Sequence, residues 1–183
     1  MRISKSPEER KAEMVAIASV LFSRQGFVRT SVAEITDEAK VAKGLFYYYF
    51  TTKDEMVKSV VEGYCAYLEA EADRIAEGPG TGREKLVRLF SGNEWRKCFT
   101  APMTEDLKLP QSAAVYCDMC DRMAAHLLPG MTKMVAQLLE EAGRPSEMAA
   151  QTAGTMLYGF LMMMRQDRLK DSEIMKVLDT VFA

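Results

Sequence analysis

The sequence predicts an all-α protein of about nine helices. Residues 1–55 read as an N-terminal three-helix helix-turn-helix domain, and residues 56–183 as a C-terminal domain of antiparallel helices. Three observations carry this. Capping boxes recur in the first third, at Ser6-Pro7-Glu8-Glu9, Ser31-Val32-Ala33-Glu34 and Thr52-Lys53-Asp54-Glu55. In each, a hydroxyl and a glutamate three residues on satisfy orphan amides at a helix start. Apolar residues between the boxes recur at helical spacing, and no stretch alternates with the period of a strand. The cluster Glu77-Gly78-Pro79-Gly80-Thr81-Gly82 is the strongest break in the chain.

The elements follow in order. A first helix runs from about Pro7 to Gln25 with Val15, Ala18, Leu21 and Phe22 as its apolar stripe. Gly26 stops it, and Phe27 packs back onto it. A second covers about residues 31–39, with Val32, Ile35 and Ala39 on one face. The turn Lys40-Val41 leads to a third over residues 42–49, and a fourth runs from Thr52 to about Glu77, out of the first domain. Beyond the break, helical patterns cover about residues 83–99, 104–109 and 111–141, the last interrupted at Pro129-Gly130. Arg144-Pro145 breaks again; Ser146 caps a helix to about Gln166, and Asp171 or Ser172 caps a last one to Phe182.

Of the 183 residues, 48% are hydrophobic and 27% charged, enough for a core inside an ordinary polar surface. The net charge of −2 excludes a generic polyanion binder. Residues 1–55 carry nine basic and eight acidic side chains, the remainder fifteen and eighteen. That asymmetry permits a local phosphate-binding face. The N-terminus has no apolar stretch for a signal peptide, and the longest apolar run, residues 156–164, is far short of the roughly 20 residues a membrane helix needs. The expectation is a cytoplasmic protein with four reduced thiols, Cys65, Cys98, Cys117 and Cys120, and no membrane partner.

The chemistry concentrates in residues 42–50. At about 100° per residue, Phe46 and Phe50 share one side with Ala42 nearby and face the core, while Gly44, Leu45 and Tyr48 fall opposite, with Tyr47 and Tyr49 at the flanks. The outward edge is about 10 Å long, and a major groove about 12 Å wide accepts it. Gly44 lets the backbone approach a groove wall. Tyr48 and Tyr49 can donate to phosphate oxygens. Tyr47, Lys43 and Leu45 are placed for base edges, Lys43 toward guanine acceptors and Leu45 toward a thymine methyl. Thr30 and Ser31 at the second helix start, and Lys53 at the fourth, are phosphate candidates.

The ordered set Gly26-Phe27, Thr30-Ser31-Val32, Ile35, Val41, Lys43-Gly44-Leu45-Phe46-Tyr47-Tyr48-Tyr49-Phe50 and Thr52-Lys53-Asp54-Glu55 resembles the TetR family of bacterial transcription regulators. The resemblance covers about residues 8–61. It implies a homodimer that binds a double-stranded DNA operator with its N-terminal domain, and whose C-terminal domain binds a small-molecule effector and dimerises. It gives base reading to Lys43, Gly44, Leu45 and Tyr47, and phosphate contact to Tyr48, Tyr49 and Lys53. The chain departs from the family pattern at Lys40, where the turn usually has glycine, at Leu45, where a polar residue is common, and at Tyr49, where histidine is common. The last two imply a different operator preference.

The C-terminal part is rich in methionine, which adapts to irregular apolar shapes. Ordinary core is the bland reading of any one methionine; for the domain, the resemblance implies a cavity for a hydrophobic or aromatic ligand, with Trp95, Phe99, Tyr116, Met119, Met123 and Tyr158 as candidate lining. Ala150, Ala153, Gly154, Leu157 and Leu161, then Ile174, Leu178 and Val181, form small and apolar runs suited to a dimer seam. No cofactor or metal is expected. Cys117-x-x-Cys120 with His126 leaves two alternatives open, a thiol or metal sensor and a helical enzyme, although no second Cys/His pair at zinc spacing and no nucleophile–base set accompany them. A protein-binding adaptor on the same fold is a further alternative. The reading that joins most residues is a ligand-responsive, non-enzymatic DNA-binding regulator, a repressor.

Overall fold

Ser6 opens the first helix, α1 (Pro7–Gln25), with a complete capping box: its hydroxyl accepts the Glu9 amide and the Glu9 carboxylate accepts the Ser6 amide. Ser31 and Glu34 do the same for α2 (Val32–Glu38). The computed structural model describes residues 6–91, 94–166 and 176. Among these, seven further α-helices follow: α3 (Lys43–Tyr49), α4 (Lys53–Glu77), α5 (Gly82–Ser91), α6 (Glu94–Cys98), α7 (Ala101–Lys108), α8 (Ala113–Glu141) and α9 (Ala149–Arg165). Single turns of 3-10 helix, Pro110–Ser112 and Ser146–Met148, precede α8 and α9. No strand occurs among the described residues, and none of the described helices is long and apolar enough to cross a membrane.

The capping boxes were legible locally, with two differences. The third box is offset by a residue: Thr52 accepts the Glu55 amide, but Glu55 reaches back to the Thr51 amide. A further box, Thr81 with Glu84, starts α5 inside the stretch read only as a break. The expected interruption at Pro129-Gly130 is absent, and α8 runs through it. Pro129 is exposed, so its missing amide lies on the solvent side, while Gly130 is buried, where a Cβ would meet that of Ala72 at 3.3 Å. The expected helix over 83–99 is instead α5 and α6. The expected last helix lies outside the described residues apart from Lys176.

The chain packs as two compact units, each assembled from two sequence segments. One comprises the segment up to Gly63 with Cys98–Tyr116; the other comprises Tyr64–Lys97 with the segment from Cys117 onward. In the first unit Met14, Ala18 and Phe22 line the inner face of α1, while Val15 and Leu21 of the expected stripe are half-buried. Ile35, Phe46, Phe50, Met56, Val57, Met103 and Leu107 are also buried. Each large side chain removed from water contributes about 1.5–3 kcal/mol. Phe27 turns back as expected, its ring edge-on to Phe22 at 6.3 Å. In this unit α7 packs on α1, α1 on α2, and α2 on α3.

In the second unit Cys65, Leu68, Ala72 and Ile75 of α4 are buried, as are Leu86, Leu89 and Phe90 of α5 and Met119, Met123, Leu127, Met131 and Met134 of α8. Two backbones meet where α5 begins: a Cβ on Gly82 would stand 2.6 Å from the Met134 carbonyl oxygen. Buried Lys85 closes the same corner, donating to the Ala76 carbonyl and to Gln137 Oε1, both at 2.8 Å.

Candidate nucleic-acid interface

The turn between α2 and α3 decides where the outward helix points. Lys40 adopts a left-handed conformation, φ 53°, at a cost of about 1–2 kcal/mol for a residue with a Cβ. Its amide donates to the Asp37 carbonyl at 3.1 Å, and the Val41 amide to the Thr36 carbonyl at 3.0 Å. These bonds end α2 and start α3 on a new course.

On α3 the inner and outer faces separate cleanly. Phe46 and Phe50 are fully buried with ring centroids 5.5 Å apart. Tyr48 is 75% exposed and Tyr47 51%, while Leu45 and Tyr49 are half-buried. The Tyr48 ring meets Tyr49 edge-on at 4.9 Å, and Lys43 Nζ stands 5.9 Å from the Tyr47 ring centroid. Nothing lies within 4 Å of a Cβ built on Gly44. The helix therefore presents cation, small residue, alkyl group and two phenols along one open edge.

The phosphate candidates differ in availability. Ser31 is exposed; its hydroxyl accepts the Glu34 amide at 3.1 Å and keeps a proton to donate. Thr30 is a correction: it is fully buried, donating to the Gly26 carbonyl at 2.7 Å and receiving Gln25 Nε2 at 3.2 Å. Its neighbour at the helix start made it look solvent-facing, but the loop folds inward there. Half-buried Lys53 donates to the Val28 and Thr30 carbonyls at 3.1 and 3.2 Å, leaving one of three ammonium protons. Glu34 is held below the usual carboxylate range by the Ser31 amide first, then by Gln25 and the Ser31 hydroxyl.

The other candidate residues are scattered. Phe99, half-buried, and Tyr116, buried, belong to the first unit; Met119 and Met123, both buried, and Tyr158 belong to the second. The Trp95 side chain lies outside the described residues. Tyr158 is 46% exposed. On α9, Ala153, Leu157 and Leu161 are buried within the chain itself, so they are not a free face, whereas Ala150 is exposed and Gly154 half-buried. The outward stripe is instead Gln151, Thr155, Tyr158, Gly159 and Met162. The helix is apolar nearly all round, so composition alone did not show its rotation. Ile174, Leu178 and Val181 lie outside the described residues. Cys117 is exposed and Cys120 buried, one turn apart; His126 Nδ1 lies 2.6 Å from Glu69 Oε2.

Comparison with known proteins fits this geometry. Residues 15–60, from the middle of α1 into α4, match the family model described as bacterial regulatory proteins, tetR family. It is this N-terminal segment, residues 15–60, that matches the TetR family. The transcriptional repressor KstR2 of Mycobacterium tuberculosis is 29% identical over 89 residues, 49% of this chain and 44% of the relative. The transcriptional regulator HbdR of Aromatoleum sp. (strain CIB) is 38% identical over 99 residues, covering 54% of this chain and 42% of the relative. The chain thus aligns with less than half the length of these relatives. The fold is shared with the crystal structure of RolR in complex with resorcinol, with a TM-score of 0.66 at 16% identity over 96% of this chain and 84% of RolR. The relatives KstR2 and HbdR are both regulators of transcription.

Proposed function

We propose that this protein is a TetR-family transcription repressor that binds a pseudo-palindromic DNA operator as a homodimer and releases it when a hydrophobic or aromatic small molecule binds the unit containing α9. The observation that carries the reading is the open edge of α3 over a fully buried Phe46–Phe50 base. A helix whose phenols and cation face solvent, while its phenylalanines fix its rotation, suits a groove. Tyr48, Tyr49, Ser31 and Lys53 take phosphates and set register; Lys43, Gly44, Leu45 and Tyr47 meet base edges. With a net charge of −2 the attraction is local to this face.

Dimerisation through the outward stripe of α9, centred on Tyr158 and Met162, supports two reading helices on half-sites a DNA turn or a multiple apart. The effector reading rests on the buried methionines Met119, Met123, Met131 and Met134, which repack around varied apolar shapes, and on RolR, which has this fold and is bound to resorcinol. The effector lowers operator affinity only by its preference for the non-binding conformation. The repressor assignment follows KstR2. The protein would act in the cytoplasm, where the DNA is.

Selection of bound duplexes from a random DNA pool tests this directly. The expected product is an inverted repeat bound as a dimer. No enrichment over repeated rounds would reject DNA binding, and enrichment of single half-sites would reject the dimer.

A further inference from the structure

Asp106 occupies a place that three general preferences disfavour. It is a carboxylate in the last turn of α7, where the helix dipole repels negative charge. It is 9% exposed, and burial of a charge is costly unless the group is bonded. Aspartate is also a poor helix former. The compensation lies 78 residues away: the Val28 amide donates to Asp106 Oδ2 at 2.8 Å. The same residue is held from its other side, since the Val28 carbonyl accepts from Lys53 Nζ at 3.1 Å. Gly26 makes room for this arrangement. A Cβ there would collide with the Asp106 carboxylate, standing 2.9 Å from its Cγ, and φ is +83°. Thr100 adds a second tie from the start of α7, its hydroxyl donating to the Ser23 carbonyl at 3.0 Å.

The residues held are those that lead from α1 into the capping box of α2. Val28 precedes Thr30, whose hydroxyl closes the loop on Gly26, and Ser31, the exposed N-cap. We propose that Asp106 is a positioning residue for DNA binding: it fixes the 26–30 loop, and through it the entry of α2 that supports the reading helix, without itself touching the duplex. The proposal rests on the DNA-binding reading. A tolerance of about 0.5 Å is typical for a working recognition constellation, and a loop held at both its N–H and C=O meets it where a free loop does not.

The test compares wild type, Asp106→Asn, which keeps an acceptor, and Asp106→Ala, which does not, against a duplex selected by the wild-type protein. Asp106→Leu, with the same branching and without an acceptor, replaces the alanine variant should that not fold. The expected result is a Kd at least tenfold weaker for Ala or Leu and within about threefold of wild type for Asn. The salt slope should stay unchanged because no phosphate contact is lost. Amide exchange at Val28 in the free protein should accelerate in Ala or Leu and not in Asn. A merely structural role would lower the active fraction measured by stoichiometric titration and leave the Kd of the folded protein unmoved. The proposal is overturned if Ala or Leu binds as wild type while Tyr48→Ala does not, or if Asn and Ala lose affinity equally. If wild type selects no duplex, the DNA-binding reading fails instead, and the exchange data still report whether the brace exists.

Discussion

For Tyr48 and Lys43 the two proposed kinds of nucleic-acid contact separate into measurable quantities. Tyr48 carries a neutral donor on the most open part of α3. Tyr48→Phe removes one hydrogen bond, worth about 1 kcal/mol, so operator affinity should fall roughly fivefold on every selected duplex alike, with the salt slope unchanged. Lys43→Gln removes the cation placed toward guanine acceptors, so the loss should be about 1–3 kcal/mol on duplexes with guanine at that position and smaller on the others. Gel-shift or anisotropy titrations across salt concentrations and duplexes check both; a slope altered by Tyr48→Phe would contradict its neutral role. The pattern of the recognition segment was readable because its inward phenylalanines sit at i and i+4, and local periodicity is enough to rotate so short a helix. Thr30 and Asp106 were not readable in the same way. Thr30 turns inward because of a loop closure on Gly26, and the role of Asp106 depends on a partner 78 residues away in sequence. No periodicity encodes either.

Helix starts bring the next level of control. In α2 the Glu34 carboxylate accepts from the Ser31 amide at 2.7 Å and from Gln25 at 3.1 Å. Its folded-state pKa is therefore depressed, with the Ser31 amide as the leading cause. A group depressed on folding contributes stability that is present above its unfolded pKa and is lost as pH falls through the folded one. Glu34→Ala should thus be less stable than wild type at neutral pH, and the gap should narrow on acidification below the usual carboxylate range. Denaturation midpoints against pH check it; a gap that widened in acid would contradict the assignment. The contact between α5 and α8 gives a second test. Gly82→Ala drives a Cβ into the backbone of Met134 and Leu138, an overpacking cost of about 1–3 kcal/mol. The same change at Gly63, exposed on α4 with nothing within 4 Å, should instead stabilise by about 0.4–1 kcal/mol. The opposite signs separate backbone crowding from helix propensity. Sequence reading found most of these helices because caps and breakers are local. It mistook Pro129 for a break because nothing local reveals that this residue faces water.

For the whole molecule, the open question is what covers α9. Tyr158 at 46% and Met162 at 49% exposure lie one turn apart beside Gly159, which has nothing within 4 Å of a Cβ. Apolar side chains at i and i+4 flanked by glycine let two helix backbones come close. The buried residues Ala153, Leu157 and Leu161 are already used by the chain's own core, so the seam proposed on α9 uses its outward stripe. Met162→Glu places like charges against each other across a two-fold axis while leaving that core untouched. The expected outcome is a monomer in sedimentation velocity at concentrations where wild type is a dimer, with an unchanged helical signal. Leu157→Glu should instead unfold the unit, since a charge there would be buried without a partner. Operator binding follows from the same arithmetic. A dimer converts the second half-site contact into an intramolecular event, so the Met162→Glu monomer should lose about 10²–10⁴-fold in affinity for the full inverted repeat. Its affinity for an isolated half-site should not change. If Met162→Glu stayed dimeric and bound the full repeat as tightly as wild type, the seam would have to lie elsewhere.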